Sequence, residues 1–395
     1  PNTAYANDPD AAQTIALQSI GPDEAEVELD LYEKMSAQVS VIKLIKDIEL
    51  SGSLRVDYAV TIDLNGHVLK MGDIGDGSVI KIESTGHLTI TDSNPTTVHK
   101  FTPNADGLWV LNEQNGTKTV YGGVITGGSA EKGGGMYIDG GTFEMSGGNI
   151  VGCTATGNNA FGGGVFVSKN GTFTMTGGSI TGCTAVAQNY GMAFGGGIRS
   201  EGRTTLSGTA VIRDCHAKGG DRQYGGGISD AGTLNISEDV TISGCTADGN
   251  SDAMFTVSGT ISGGTFYGSI KGLDNATISG HIVTYKVNNG TDYATQIVPS
   301  NSMVTLLTPT KQGYAFDGWY KADGMRLDVA DPVTITENLA LTGWLYAPVT
   351  SESELTAALA DSSIDVIRLT NDITLTAELQ ITDGRKVTLD LNGRV

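Results

Sequence analysis

Basic residues, cysteine, proline and aromatic rings are all scarce in this 395-residue sequence. Lysine and arginine number 24 against 44 acidic residues, a net charge of −20. No basic stripe exists to neutralise phosphates, which excludes nucleic-acid partners and disfavours anionic membrane surfaces. Nine prolines beside 56 glycines, with no glycine at every third position, exclude collagen. Charged residues make up only 17% while apolar residues reach 39%, so the composition is not that of a disordered chain. No apolar run approaches the ~18 residues of a spanning helix, so no membrane insertion is expected. The polar start, PNTAYANDPD, reads as that of a trimmed mature or recombinant chain rather than as a signal peptide, which is compatible with export. Only four cysteines occur, and their positions matter more than their number.

Repetition is what the sequence has. GTFEMSGGNIVGCTA at 141–155 returns as GTFTMTGGSITGCTA at 171–185, identical at 11 of 15 positions. Looser copies follow at 203–217 and 233–247, and a weaker one lies at 116–130. Cys153, Cys183, Cys215 and Cys245 hold the same place in each cysteine-bearing copy, at spacings of 30, 32 and 30 residues. A glycine triplet precedes each, at 133–135, 162–164, 195–197 and 225–227. A period of this length marks a solenoid. Within each copy apolar residues alternate with polar ones, as Phe173 and Met175 do with Thr172, Thr174 and Thr176, which is the period of a strand. Three strands per coil are expected: VFV, TFTMT and SITGCTA, with Gly177 and Gly178 at one corner and a longer loop after Ala185.

These coils resemble the right-handed parallel β-helix of the pectate-lyase-like superfamily. The resemblance implies an all-β solenoid in which Ile150, Ile180, Ile212 and Ile242 stack in one inward column and Ala155, Ala185, Ala217 and Ala247 in another. The coils are expected over 31–283, after an extension at 1–30, with a short helix within 22–36 covering the open edge. From 284 the glycine rhythm stops. GYAFDGWYKADG at 313–324 and ITENLALTGW at 335–344 resemble the Listeria–Bacteroides, or internalin B-type, repeat. That resemblance implies a small β-grasp-like module over 284–347, with Trp319 and Trp344 in its core, and a bacterial cell-surface context. The segment 348–395 reads as the truncated start of a second β-helix. VIRLTNDITL (366–375) matches VIKLIKDIEL (41–50) at six of ten positions, and TLDLNGRV (388–395) matches TIDLNGHV (61–68) at six of eight.

Chemistry is harder to find. One cysteine per coil suits small packed side chains better than a metal site, which needs clustered ligands. The five histidines, His67, His87, His99, His216 and His281, are scattered. Asp214, between Arg213 and His216, is the one suggestive carboxylate, but its equivalents are Gly152, Gly182 and Gly244, so no second acid joins it for glycoside hydrolysis. No catalytic residue, metal ligand or cofactor is therefore expected. The outward residue of the first strand of successive coils predicts a column of Lys81, Trp109, Tyr137, Phe166, Arg199 and Ser229. Trp109, Tyr137 and Phe166, ending at Arg199, are expected as an exposed aromatic stripe for a glycan, unless they only stack on one another or lie beneath a loop. The expected function is that of a non-catalytic, extracellular or cell-surface bacterial protein. Like an adhesin, it would bind a glycan or a host or neighbouring surface protein. A polysaccharide lyase or glycoside hydrolase and a purely structural stalk are the alternatives.

Overall fold

The computed structural model describes residues 14–16, 31–72, 77–105, 107–288, 290–381 and 384–395. The chain divides into two compact units, residues 1–278 and 279–395. Of the helix expected within 22–36, residues 31–36 are helical, with Leu31 and Met35 buried. The remainder of that expectation, and most of the extension 1–30, lies outside the described residues.

The first unit is a parallel β-helix. Its inward letters stack in the expected register. Ile150 lies beside Ile180, Ile180 beside Ile212 and Ile212 beside Ile242, all fully buried. The column extends back through Ile125, Leu69 and Ile48 and forward to Phe266. Phe143 and Phe173 stack with ring centroids 5.0 Å apart and planes 6° apart. The alanine column is likewise paired and buried. All four cysteines are free and buried in a column of their own. Each thiol donates to backbone carbonyls, as Cys183 Sγ does to Ile150 O at 3.7 Å and Thr181 O at 3.5 Å.

The coil differs from expectation in its strand count. SITGCTA is not one strand. Ser179–Thr181 stops at Gly182, whose φ of 58° turns the chain, and a further strand, Thr184–Phe194, begins after Cys183. The same turn is made by Gly152, Asp214 and Gly244, with φ between 52° and 63°. The segments after Ala155 and Ala185 are therefore not loops. They run out and back as a paired arm, Thr154–Gly157 against Thr184–Ala187 and Asn159–Phe161 against Met192–Phe194. Each arm returns to the coil through a glycine triplet. Within 162–164 the three glycines serve different needs. Gly162 has φ 68°; a methyl group at Gly163 would lie 2.3 Å from Thr184 O; one at Gly164 would lie 2.7 Å from Ile180 Cγ2.

One insertion leaves the coil path. Val98–Pro103, Trp109–Leu111 and Lys118–Tyr121 form a three-stranded antiparallel sheet. Trp109 N donates to Gly182 O at 3.1 Å, so this small sheet lies across the corners that Gly152 and Gly182 leave bare.

The second unit opens with a mixed sheet. His281–Val287 pairs antiparallel with Thr291–Val298 and parallel with Leu339–Val349, which also takes Ala315–Tyr320 antiparallel. Trp319 is its fully buried centre, donating from Nε1 to Leu307 O at 2.7 Å between Tyr285 and Phe316. Trp344 is half-buried. The helix Glu352–Ala360 follows, with Ser351 as N-cap accepting from Glu354 N and Leu355 and Leu359 on its buried side. Beyond it, Val366–Leu369 pairs in parallel with both Ala347–Val349 and Thr388–Asp390.

Candidate functional site

One residue from each strand of this sheet lines up by register as Arg55, Lys81, Tyr137, Phe166, Arg199, Ser229, Phe255 and Lys271, the four from Tyr137 to Ser229 lying on strands that follow the glycine triplets. Trp109 is not among them, because Lys81 pairs directly with Tyr137. The expected placement of Trp109 fails because residues 98–121 are an insertion rather than a coil. No glycine triplet precedes Trp109, which was the available signal. Its ring is 3% exposed, packed with Phe101, Val120, Val124 and Val151 and flanked by Lys118 and Arg213 at 5.4 and 5.3 Å. Trp109 instead helps to line a cavity of about 650 Å³, together with Lys70, Thr126, Ser129, Thr154 and Thr156.

Phe166 is in the column but not exposed. Tyr137 meets it edge-on at 5.5 Å, Phe161 stacks at 6.5 Å, and Lys132 Nζ lies 5.1 Å from its ring. Tyr137 is half-buried, with Lys81 Nζ 5.3 Å from its ring. Its phenol pKa is raised by burial and by Asp139. Arg199 lies inside the array rather than at its end. Its guanidinium sits 5.8 and 5.2 Å from the rings of Phe161 and Phe194, Nη1 donates to Ser229 Oγ at 3.0 Å, and Glu201 lies 3.4 Å from Nη2. Burial lowers its pKa.

A second run of rings packs beside the first and ends at Phe255, which belongs to both. Phe161, Phe194, Tyr224 and Phe255 stack with centroids 5.7, 5.5 and 5.1 Å apart and planes within 27° of parallel. The return strands of the arms set this register, Phe161 beside Phe194 and Phe194 beside Tyr224. Phe161, Phe194 and Phe255 are half-buried, and Tyr224 is 36% exposed. Three of these rings immediately precede a glycine triplet, in FGGG, FGGG and YGGG, a signal that alternation within the strands does not carry. Most ring faces are turned to neighbouring rings, so the column presents chiefly its edges to solvent. Lys271 Nζ lies 5.6 Å from the Tyr224 ring and bonds Asp252 at 2.7 Å. The result is a lateral band of rings interleaved with cations.

Two buried carboxylates border the band. Asp230 is raised to about 6 by burial, against the lowering effect of Gly232 N and Thr256 Oγ1. Burial also raises Asp252. Asp214 lies elsewhere. Its φ of 52° puts it in the left-handed turn that glycine occupies in the other coils, a conformation aspartate tolerates. Its neighbour Arg213 turns to the Trp109 ring, and His216 Nδ1 bonds Thr246 Oγ1 at 2.8 Å. Among the described residues no group of three or more His, Cys, Asp or Glu is placed to hold a metal ion.

The sequence profile of the Listeria-Bacteroides repeat domain matches residues 281–347, three residues ahead of the boundary read from glycine rhythm. Such repeats are typical of bacterial surface proteins. Among the described residues no helix is long and apolar enough to cross a membrane. No curated protein and no solved structure matches the chain significantly.

Proposed function

We propose that this is a non-catalytic, secreted or surface-displayed bacterial protein of adhesin type, which engages a glycan or a surface protein through the lateral band of its β-helix. The observation that carries the reading is the run of half-exposed rings, Tyr137, Phe161, Phe194, Tyr224 and Phe255, interleaved with Lys132, Arg199 and Lys271. Contiguous, partly apolar patches rimmed by charge mark interaction sites, and tyrosine and arginine are the residues that anchor them. The arms place polar tips beside the band, including the 87%-exposed Tyr190. Tyrosine, asparagine and glycine at such tips suit adaptable recognition.

A glycan array probed with wild type, Tyr137→Ala and Tyr224→Ala tests the reading. Wild type is expected to bind a discrete set of glycans, and each variant to lose at least tenfold in affinity with its melting curve intact. Undiminished binding by both variants refutes the band as the site. A second reading, a structural stalk, is favoured by the rings turning their faces to one another. It predicts no ligand for any variant and a stiff rod by small-angle scattering.

A further inference from the structure

The insertion at 98–121 does more than cover two corners, because it closes one side of the cavity of about 650 Å³. Three parts of the fold line that space. Thr126 and Lys70 come from neighbouring coils and lie side by side in register. Ser129 lies beside Thr154, and Thr156 beside Val186, on the outgoing strands of the arms. Leu108, Val110 and Leu111 come from the insertion. The volume falls within the ~300–1,000 Å³ of small-ligand clefts and suits a guest of disaccharide size. The cavity is distinct from the lateral band, since Thr154 and Thr156 stand where the arm leaves the coil and Phe161 where it returns.

Outward positions answer to no stacking rule, so their agreement here carries information. Thr126, Ser129, Thr154 and Thr156 all carry hydroxyls, and among the described residues none of these hydroxyls has a hydrogen-bond partner. Thr126 weighs most, because it is only 2% exposed. A hydroxyl buried that far is costly to leave unpaired, and a guest in the cavity would satisfy it. Among the described residues the lining includes no carboxylate, although the chain has 44 acidic residues. Its cation, Lys70, already bonds Glu49 at 3.3 Å. A charged guest would give up its hydration there without gaining an opposite charge. Hydroxyls both donate and accept, so a wall of them matches a guest whose own polar groups do both. Leu108, Val110, Leu111 and Val186 add apolar surface, with Val110 49% exposed. The surround therefore accepts a molecule with hydroxyl edges and an apolar face.

We infer that this cavity is a binding site for an uncharged saccharide. The C–H face of a sugar ring lies against Leu108, Val110 and Leu111, and its hydroxyls exchange hydrogen bonds with Thr126, Ser129, Thr154 and Thr156. Trp109 is 3% exposed, so aliphatic side chains rather than a stacked ring meet the sugar. The site works independently of the lateral band, and neither needs the other to be filled.

Amide NMR signals of the isotope-labelled 395-residue chain test this while neutral sugars are added at about 10 mM. The neutral set is glucose, galactose, mannose, maltose, cellobiose and lactose; glucuronate, galacturonate and glucosamine are the charged counterparts. At least one neutral sugar is expected to shift Val110, Thr126, Ser129 and Thr154 while Tyr137 and Tyr224 stay in place. No shift at those positions with any neutral sugar overturns the inference, as does a charged counterpart that binds as tightly. Thr126→Val combined with Thr154→Val is expected to weaken binding about tenfold. Those hydroxyls bond nothing in the protein, so the double variant is expected to melt no lower than wild type, which separates lost binding from lost fold. Undiminished binding by it refutes the placement. Tyr137→Ala combined with Tyr224→Ala is expected to leave this binding unchanged. If that variant abolishes it, the sugar sits on the lateral band and the cavity assignment fails while the band reading stands.

Discussion

Gly163→Ala isolates the demand that coil-to-coil spacing places on the glycine triplets. The φ of Gly163 is not left-handed, so alanine meets no torsional objection there. The objection is space. The new methyl would lie 2.3 Å from Thr184 O and 2.5 Å from Gly196 O, against 3.4 Å or more in ordinary contact. Both obstacles are backbone, so no side chain can swing aside. Relief requires parting two layers by about 1 Å, against a usual spacing near 4.8 Å. That strains the bonds from Gly163 N to Gly195 O and from Gly164 N to Gly197 O, both 3.0 Å. Overpacking of about 1–3 kcal/mol, together with one or two weakened buried hydrogen bonds at about 0.5–1.5 kcal/mol each, gives a loss of about 2–6 kcal/mol. Urea unfolding followed by circular dichroism measures it. Gly52→Ala is the control, since nothing lies within 4 Å of its added methyl, and it is expected within about 1 kcal/mol of wild type. If Gly163→Ala proves as stable as Gly52→Ala, the account of the triplet is wrong.

Two further perturbations probe the interior. Asp230 is lifted by burial to about 6 from an ordinary ~3.9. The folded state therefore holds its proton more tightly than the unfolded chain does. Stability falls as pH rises from about 4 to about 6 and is level above that, by at most about 3 kcal/mol. Asp230→Asn should flatten this slope in denaturant titrations across that window, and an unchanged slope would assign it to other groups. The thiols of Cys153, Cys183, Cys215 and Cys245 are sealed in the core, where burial pushes Cys215 up. An aromatic disulfide reagent should find no reactive thiol in the native protein and four after unfolding. Fast native labelling of any of them would contradict the column.

The inward register was legible because stacking forces each inward position to repeat its own kind. Ile180 and Cys183 had to find Ile150 and Cys153 one layer away, and the sequence wrote them at matching offsets. Trp109 is misplaced because an insertion whose length is close to one coil imitates a coil; unlike Tyr137, Phe166, Arg199 and Ser229 it follows no glycine triplet. The split of SITGCTA at Gly182 was hidden for a different reason. Alternation survives across a left-handed turn, and only the matching φ of Asp214 and Gly244 shows that the position is a corner. The aromatic column passed unread because Phe161, Phe194 and Tyr224 fall on return strands that look like loop in the sequence. Packing between neighbouring arms, not local propensity, extends them.

The small sheet at 98–121 has a mechanical consequence. The hydrogen bonds between layers point along the rod, so a pull at its ends would load them one layer at a time and peel the coils apart like a zip. Trp109 is fastened to Gly182 and held beneath Arg213, while Gly107 abuts His216 on a further layer. That patch ties several layers together and meets the same pull as shear. The coils are thus riveted together across those layers.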